Sequence, residues 1–210
     1  LDRALKRNPD EPQLALTLVD ARCIAGTPPG PSMDAAYIAL SSANRLGKES
    51  YDWISKRLPG SSMSACPGWR RSDLERLLRA ADANPRTRAI PGRRQDSLDI
   101  KARLALSDSR PLQALRLFGA ALDADPTLEA GFSQTAYLAQ AGQPCLALQH
   151  LARTERLALH RPPLSPNMRA LHRRLLWNQG YWQSEAAILR STLSREIRQA
   201  KKGEASCSES

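Results

Sequence analysis

The chain repeats a stop pattern in which a proline follows an alanine by five residues, at 4–9, 80–85 and 121–126. Because proline cannot continue a helix, each pattern marks the end of one. The second and third prolines are 41 residues apart and the first and second are 76 apart, close to two equal periods. Repetition at this length predicts stacked helical hairpins, since a single hairpin cannot bury its own apolar face.

The composition favours helices over strands. Hydrophobic residues make up 41% of the chain and charged residues 25%, which is typical of a globular protein. Aromatic residues make up only 5%, whereas alanine and leucine are abundant, and strands draw on aromatic and β-branched residues. We therefore expect an all-α protein with almost no sheet.

Apolar spacing predicts helices along most of the chain. Ser72 with Glu75 has the spacing of a capping box and predicts a helix start. The predicted helices are 11–24, 32–46, 49–58, 72–84, 95–106, 110–124, 127–141, 144–157, 168–179 and 182–199. We expect one helical-repeat domain over residues 1–197 and a disordered tail over residues 198–210, because the tail is polar and has no apolar periodicity.

The segment 95–126 carries the most specific pattern. Ala114, Phe118, Ala121 and Pro126 have the spacing of the second helix of a tetratricopeptide repeat, and Ser109 stands where that family typically has glycine. The chain resembles the tetratricopeptide repeat family. The residues that we assign to repeat packing on this resemblance are Ala102, Ala114, Phe118, Ala121, Pro126, Leu138, Gly142 and Ala147.

The resemblance implies a superhelical array of about five helix-turn-helix hairpins. In such an array the concave face is lined by the first helices of the hairpins and docks a peptide or a partner domain. On that basis the candidate partner-binding residues are Lys101, Arg103 and Gln134. The expected function is that of a non-enzymatic scaffold for protein-protein interaction.

The strong positive charge bears on the kind of partner. The formal net charge is +10, which attracts acidic protein surfaces and phosphates through a long-range field. The basic residues are scattered over several hairpins and are not interleaved with aromatic residues, as a single-strand nucleic-acid groove would require. We expect a protein or peptide partner with an acidic surface, and a nucleic-acid-binding helical repeat is the alternative.

The spacing of the reactive residues does not indicate catalysis or metal binding. The four cysteines lack a CxxC pair, and the three histidines are not spaced as metal ligands. The paired aspartates at 96 and 99 and at 123 and 125 lie at helix ends, where carboxylates stabilise helix termini. We predict no enzymatic activity, no metal and no cofactor, and interpret His150 as a residue at the boundary of its helix.

Two of the cysteines could form a disulfide bond. Cys23 closes a predicted helix and Cys66 lies in a loop, so an oxidising compartment would allow them to pair. Cysteine positions alone do not fix the pairing, and the bond stays open at this point. Cys145 lies in an apolar helix stripe and is interpreted as a small core residue.

The start of the chain bears on its localisation. No apolar run approaches the ~18 residues of a membrane helix, and the chain opens on Leu1 with what reads as the second half of a hairpin. We expect the C-terminal part of a longer protein. The sequence resembles the soluble portions of membrane-anchored bacterial envelope and polysaccharide-export components, which implies tethering to the inner membrane by a preceding segment. The compartment stays open between cytoplasm and periplasm.

Overall fold

The described part of the chain is helical. A computed structural model describes residues 7, 12–27, 32–41, 48–58, 70–85, 92–159, 184 and 186–199. Within these residues every regular element is a helix and none is a strand, which confirms the all-α prediction. The chain divides into two compact units, unit 1 over Leu1–Ser107 and unit 2 over Asp108–Ser210.

Unit 1 contains five of the described helices. They are α1 (Pro12–Ile24), α2 (Ser32–Ser41), α3 (Lys48–Ser55), α4 (Arg71–Ala83) and α5 (Arg93–Ser107). Helix α1 packs on α2, α2 packs on α4, α3 packs on α4 and α5, and α4 packs on α5. Helices that are two apart in the chain therefore lie side by side, α2 beside α4 and α3 beside α5.

Unit 2 repeats this order of packing. Its helices are α6 (Pro111–Ala124), α7 (Leu128–Gln140) and α8 (Pro144–Leu159), followed by helical residues 186–199, here called α9. Helix α7 packs between its chain neighbours α6 and α8, and α6 also packs on α8. The even-numbered helices again lie side by side.

The predicted start of α4 is wrong. Ser72 was expected to cap this helix with Glu75, but Arg70 occupies the N-cap position and its N–H donates to Asp73 Oδ2 at 3.1 Å. Glu75 instead accepts from Arg71 Nε at 2.7 Å. The helix starts earlier because Asp73 stabilises its first turn.

Other predicted helices differ at their ends. Helix α3 ends at Ser55, and the chain forms a turn from there to Leu58, where the helix was predicted to end. Helix α8 ends at Leu159, two residues beyond its predicted end. The predicted end of α2 at 42–46, the helix at 168–179 and the tail from 200 onward lie outside the described residues.

Local signals explain the ends of the unit 2 helices. Pro111 opens α6 at a position where a helix needs no N–H donor. Thr127 caps α7, because its Oγ1 accepts from Ala130 N at 3.3 Å. Gly142 ends α7 with φ +70°, and Ser109 precedes α6 with φ +57°. Ser109 thus adopts the left-handed conformation that glycine takes most readily.

The core of unit 1 joins all five of its described helices. Tyr51, Ile54 and Leu58 from the α3 segment are fully buried, together with apolar residues of the other four helices. The remaining members of this core are Ala15, Leu16, Val19, Ala36, Leu40, Trp53, Leu74, Leu77, Leu78, Ala80, Ala81, Ile100 and Leu104.

Unit 2 is held together by close approach of α7 and α8. A β-carbon built on Gly131 of α7 would lie 2.9 Å from Thr154 Cβ of α8, closer than side chains can approach. Phe132 of α7, Leu151 of α8 and Ala186 of α9 form an apolar cluster. The helical residues 186–199 therefore belong to the packed part of this unit.

Candidate functional site

Lys101 lies on a polar junction of three helices in unit 1. Its Nζ donates to Asp82 Oδ2 at 3.1 Å, and Ser97 Oγ donates to the same oxygen at 3.0 Å. The buried Tyr51 hydroxyl donates to Asp82 Oδ1 at 2.8 Å. Asp82 of α4 thus accepts from α3 and α5 together, which fixes the positions of these three helices.

Arg103 of α5 forms a second polar contact with α3. Only 7% of Arg103 is exposed, and its guanidinium donates to Ser55 Oγ at 2.6 Å and to the Ser55 carbonyl at 3.3 Å. Hydrogen bonds to a charged donor contribute about 1.5–3 kcal/mol each. This side chain is committed to holding helices together.

A buried arginine connects the α3 segment to α1. Arg57 forms an ion pair with Asp20 of α1, and its guanidinium carbon lies 3.5 Å from the Trp53 ring centroid. Trp53 Nε1 donates to Asp20 Oδ2 at 3.3 Å. Desolvation by burial lowers the pKa of Arg57 to about 9. The arginine remains cationic at neutral pH and forms a structural tie.

Gln134 lies in the interior of unit 2. Its exposed fraction is 0%, and its side-chain Oε1 lies 2.9 Å from His150 Nε2. We assign the ring hydrogen to Nε2, because an amide oxygen can only accept. Gln134 of α7 and His150 of α8 therefore form a polar pair inside an apolar core.

His150 is neutral in the folded protein. It is 1% exposed, and its ring centroid lies 5.9 Å from that of Phe118 on α6. Its Nδ1 has no hydrogen-bond partner within the described residues. Desolvation by burial, and then the charge of Arg153, lower the pKa of His150 to about 4. The interpretation of His150 as a boundary residue is wrong, because it is a buried residue of α8.

The structure separates the three candidate binding residues. Lys101 is exposed, whereas Arg103 is nearly buried and Gln134 is completely buried. Arg103 and Gln134 therefore cannot offer a binding surface in this fold, and their expected role is corrected to packing. The periodicity of the sequence could not predict their burial, because each has its hydrogen-bond partner on another helix.

The residues assigned to repeat packing are buried except at the turns. Six of them have an exposed fraction of 0%, and the two turn residues Pro126 and Gly142 are exposed. The six buried residues are Ala102, Ala114, Phe118, Ala121, Leu138 and Ala147.

The described cysteines are oxidised. Cys23 and Cys145 are each disulfide-bonded. Cys145 is half-buried and disulfide-bonded, so its interpretation as a small core residue is wrong. The expected bond between Cys23 and Cys66 remains a prediction, because Cys66 lies outside the described residues. Disulfide bonds are typical of oxidising compartments.

One charge pattern escaped the sequence interpretation. In three places an acidic residue on one helix pairs with an arginine on a later helix of the same unit. The pairs are Asp34–Arg76 at 2.9 Å, Asp123–Arg153 at 2.6 Å, and Glu155–Arg190. We call these three pairs the interhelix ion pairs. Their separations along the chain are 42, 30 and 35 residues, near the repeat period, and that periodicity was the available signal.

No group of three or more potential metal ligands occurs among the described residues. None of the described helices combines the length and hydropathy of a membrane span. The aspartates at 123 and 125 lie at the end of α6, where Asp123 accepts from Arg153 and Asp125 is the C-cap residue.

Comparison of the chain with protein-family models, curated proteins and solved structures gives no match. The interpretation of function therefore depends on the packing and the side-chain geometry described above.

Proposed function

We propose that the chain is a non-enzymatic scaffold for protein-protein interaction, built from tetratricopeptide-like helical hairpins. The observation that carries this proposal is the order of helix packing within each unit. Helices adjacent in the chain pack together, as α1 on α2 and α7 on α8, and helices two apart in the same unit also pack together, as α2 on α4 and α6 on α8. Stacked hairpins require this alternation, because each hairpin buries its apolar face against the next.

The interhelix ion pairs support the same proposal. An acid on one helix and an arginine on a later helix of the same unit recur at Asp34–Arg76, Asp123–Arg153 and Glu155–Arg190. Exposed ion pairs contribute only about 0–1 kcal/mol each. Their recurrence is therefore better explained as a repeated structural unit than as a source of stability.

The charge of the chain supports an acidic protein partner. With a net charge of +10, the chain attracts acidic surfaces over a distance of roughly one Debye length, about 8 Å at physiological salt. Exposed arginines and lysines occur on both the odd-numbered and the even-numbered helices. A scaffold that meets acidic partners would need such a surface.

We further propose that the chain works outside the cytoplasm, as the soluble portion of a membrane-anchored bacterial envelope component, with polysaccharide export as the process. Two cysteines in disulfide bonds support an oxidising compartment. The envelope assignment itself comes from the resemblance described in the sequence analysis.

Site-directed photo-crosslinking tests the scaffold function. A photoreactive residue at the exposed position 101 of the intact protein should capture one dominant protein, whereas the same residue at the buried position 134 should not. With the photoreactive residue placed instead at the exposed position 94 of the same helix, Lys101→Gln should lower the yield of the crosslink without changing the helical content. Absence of a crosslinked protein at exposed positions on every described helix would contradict the scaffold function.

Thiol trapping in cells tests the compartment separately. Cells are acidified to stop exchange, and free thiols are then labelled with a maleimide that adds mass. An exported protein should show no labelling until it is reduced. Labelled cysteines in the untreated sample would contradict the proposed compartment and leave the scaffold function standing.

A further inference from the structure

The outer surface of α6 and α8 in unit 2 combines an exposed aliphatic residue with several arginines. Leu112 is 65% exposed, and Arg116 follows it by one helical turn on the same side of α6. Arg153 and Arg156 are exposed on the neighbouring α8. We call Leu112, Arg116, Arg153 and Arg156 the α6–α8 face.

The position of one arginine on this face is fixed by its surroundings. Arg153 Nη2 donates to both carboxylate oxygens of Asp123, at 2.7 and 2.6 Å. A β-carbon at Gly119 would lie 2.7 Å from Arg153 Nη1, so the guanidinium lies directly on the surface of α6. Glycine within a helix costs about 1 kcal/mol relative to alanine, and here it makes room for the arginine.

The face keeps an excess of positive charge. Asp123 is paired with Arg153, and Arg156 Nε donates to the Ala152 carbonyl at 3.3 Å along its own helix. Arg116 is exposed and takes part in no ion pair with the described residues. Arg116 therefore adds positive charge beside the exposed Leu112.

We propose that the α6–α8 face docks an acidic protein segment that carries an aliphatic side chain. The carboxylates of the segment pair with Arg116 and with the outer edge of the Arg153 guanidinium, and its aliphatic residue covers Leu112. The inference rests on the proposed scaffold function and names the surface and the partner chemistry for it.

Two other occupants fit the face less well. A second copy of this chain would bring another net charge of +10 to a basic surface. A nucleic acid would gain nothing from Leu112, and the face carries no exposed aromatic ring on which a base could stack. An acidic segment uses both the charge and the apolar residue.

Fluorescence anisotropy tests the proposal with three probes and the full chain. The first is a labelled peptide that alternates glutamate with leucine, the second replaces leucine with serine, and the third is a single-stranded oligonucleotide. We expect micromolar binding of the first peptide, weaker binding of the second, and weaker binding of the oligonucleotide. Tighter binding of the oligonucleotide would overturn the proposal in favour of nucleic acid.

Matched variants locate the binding on the surface. Arg116→Glu should weaken binding of the first peptide by about tenfold, whereas Arg79→Glu, an equal charge change on α4 of unit 1, should change it by less than about twofold. Leu112→Ser should also weaken it, whereas Ile38→Ser, which removes an aliphatic residue that is 62% exposed, should not. Circular dichroism should show the same helical content for all four variants and the parent chain.

Equal losses for Arg116→Glu and Arg79→Glu would show a general field effect and overturn the proposal. Absence of micromolar binding, or no effect of Leu112→Ser, would overturn it as well. If the crosslinked partner at position 101 persists while the peptide fails to bind, the scaffold function stands and the α6–α8 face falls.

Discussion

Acidification should destabilise unit 2 through His150. This residue is 1% exposed, and its pKa is lowered to about 4 by desolvation and by the charge of Arg153. Protonation would place a hydrogen on Nδ1, where the described residues offer no acceptor. His150 therefore stays neutral in the folded protein at pH values where the same ring is protonated in the unfolded chain, whose histidine pKa is about 6.5.

The sign and size of the effect follow from linkage. Because the folded-state pKa is the lower one, the unfolded state binds more protons below about pH 6.5, and stability falls as the pH falls towards 4. With these two pKa values the free energy of unfolding should decrease by roughly 2 kcal/mol between pH 7 and pH 5. Below pH 4 the loss should level off near 3 kcal/mol.

Two measurements check this prediction. Urea unfolding followed by circular dichroism at several pH values gives the pH slope of stability, and His150→Leu provides the control because it removes the titrating ring. The variant should be less stable at pH 7, since the Gln134 side chain loses its ring partner, but its slope should be flatter. NMR titration of the three histidines gives the pKa of His150 directly.

Two results would refute the reasoning. A pKa of His150 near 6.5 would mean that water reaches the ring in the folded protein. An unchanged pH slope in His150→Leu would mean that the carboxylates, which titrate in both proteins, account for the whole acid sensitivity.

Three further predictions concern packing, backbone and disulfide bonding. Gly131→Ala should cost about 1–3 kcal/mol, because its new methyl group meets the body of the Thr154 side chain. Gly119→Ala should be close to neutral, because its methyl group displaces only the exposed end of Arg153, whose ion pair with Asp123 contributes about 0–1 kcal/mol. Equal costs in urea unfolding would contradict this difference. Ser109→Gly should stabilise the protein by about 1 kcal/mol, because φ is +57° there, and an unchanged unfolding midpoint would argue against strain. If Cys23 and Cys66 are partners, Cys23→Ser, Cys66→Ser and the double variant should lose the same stability, about 2–4 kcal/mol, and additive losses would show that they pair elsewhere.

The fold class and the buried apolar positions could be predicted from the sequence. Ala114, Phe118 and Ala121 are spaced three or four residues apart, so they lie on the same side of one helix. That apolar side is buried in the structure. Ser109 was also recognised as a glycine-type position, and it has a positive φ. Each of these properties depends only on residues within one helix or one turn, so it can be predicted from the spacing of residues in the sequence.

The polar residues could not be placed in the same way. Arg103 and Gln134 were expected on a binding surface because the resemblance places their helices along a concave face. Each can be buried because its side chain has a hydrogen-bond partner on another helix. Arg103 donates to Ser55, and Gln134 accepts from His150. The partners lie 48 and 16 residues away, and no rule of spacing within one helix connects them.

On the proposed function, folding and binding depend on different residues, and the magnitudes of the interactions explain why. Burying a side chain such as Phe118 contributes about 1.5–3 kcal/mol, and deleting it costs roughly 3–5 kcal/mol. An exposed pair such as Asp123–Arg153 contributes about 0–1 kcal/mol. The arginines of the α6–α8 face can therefore be changed while the hairpins stay folded. A loss of binding in Arg116→Glu would then report on the surface, because the apolar core that holds α6 against α7 and α8 is unaltered.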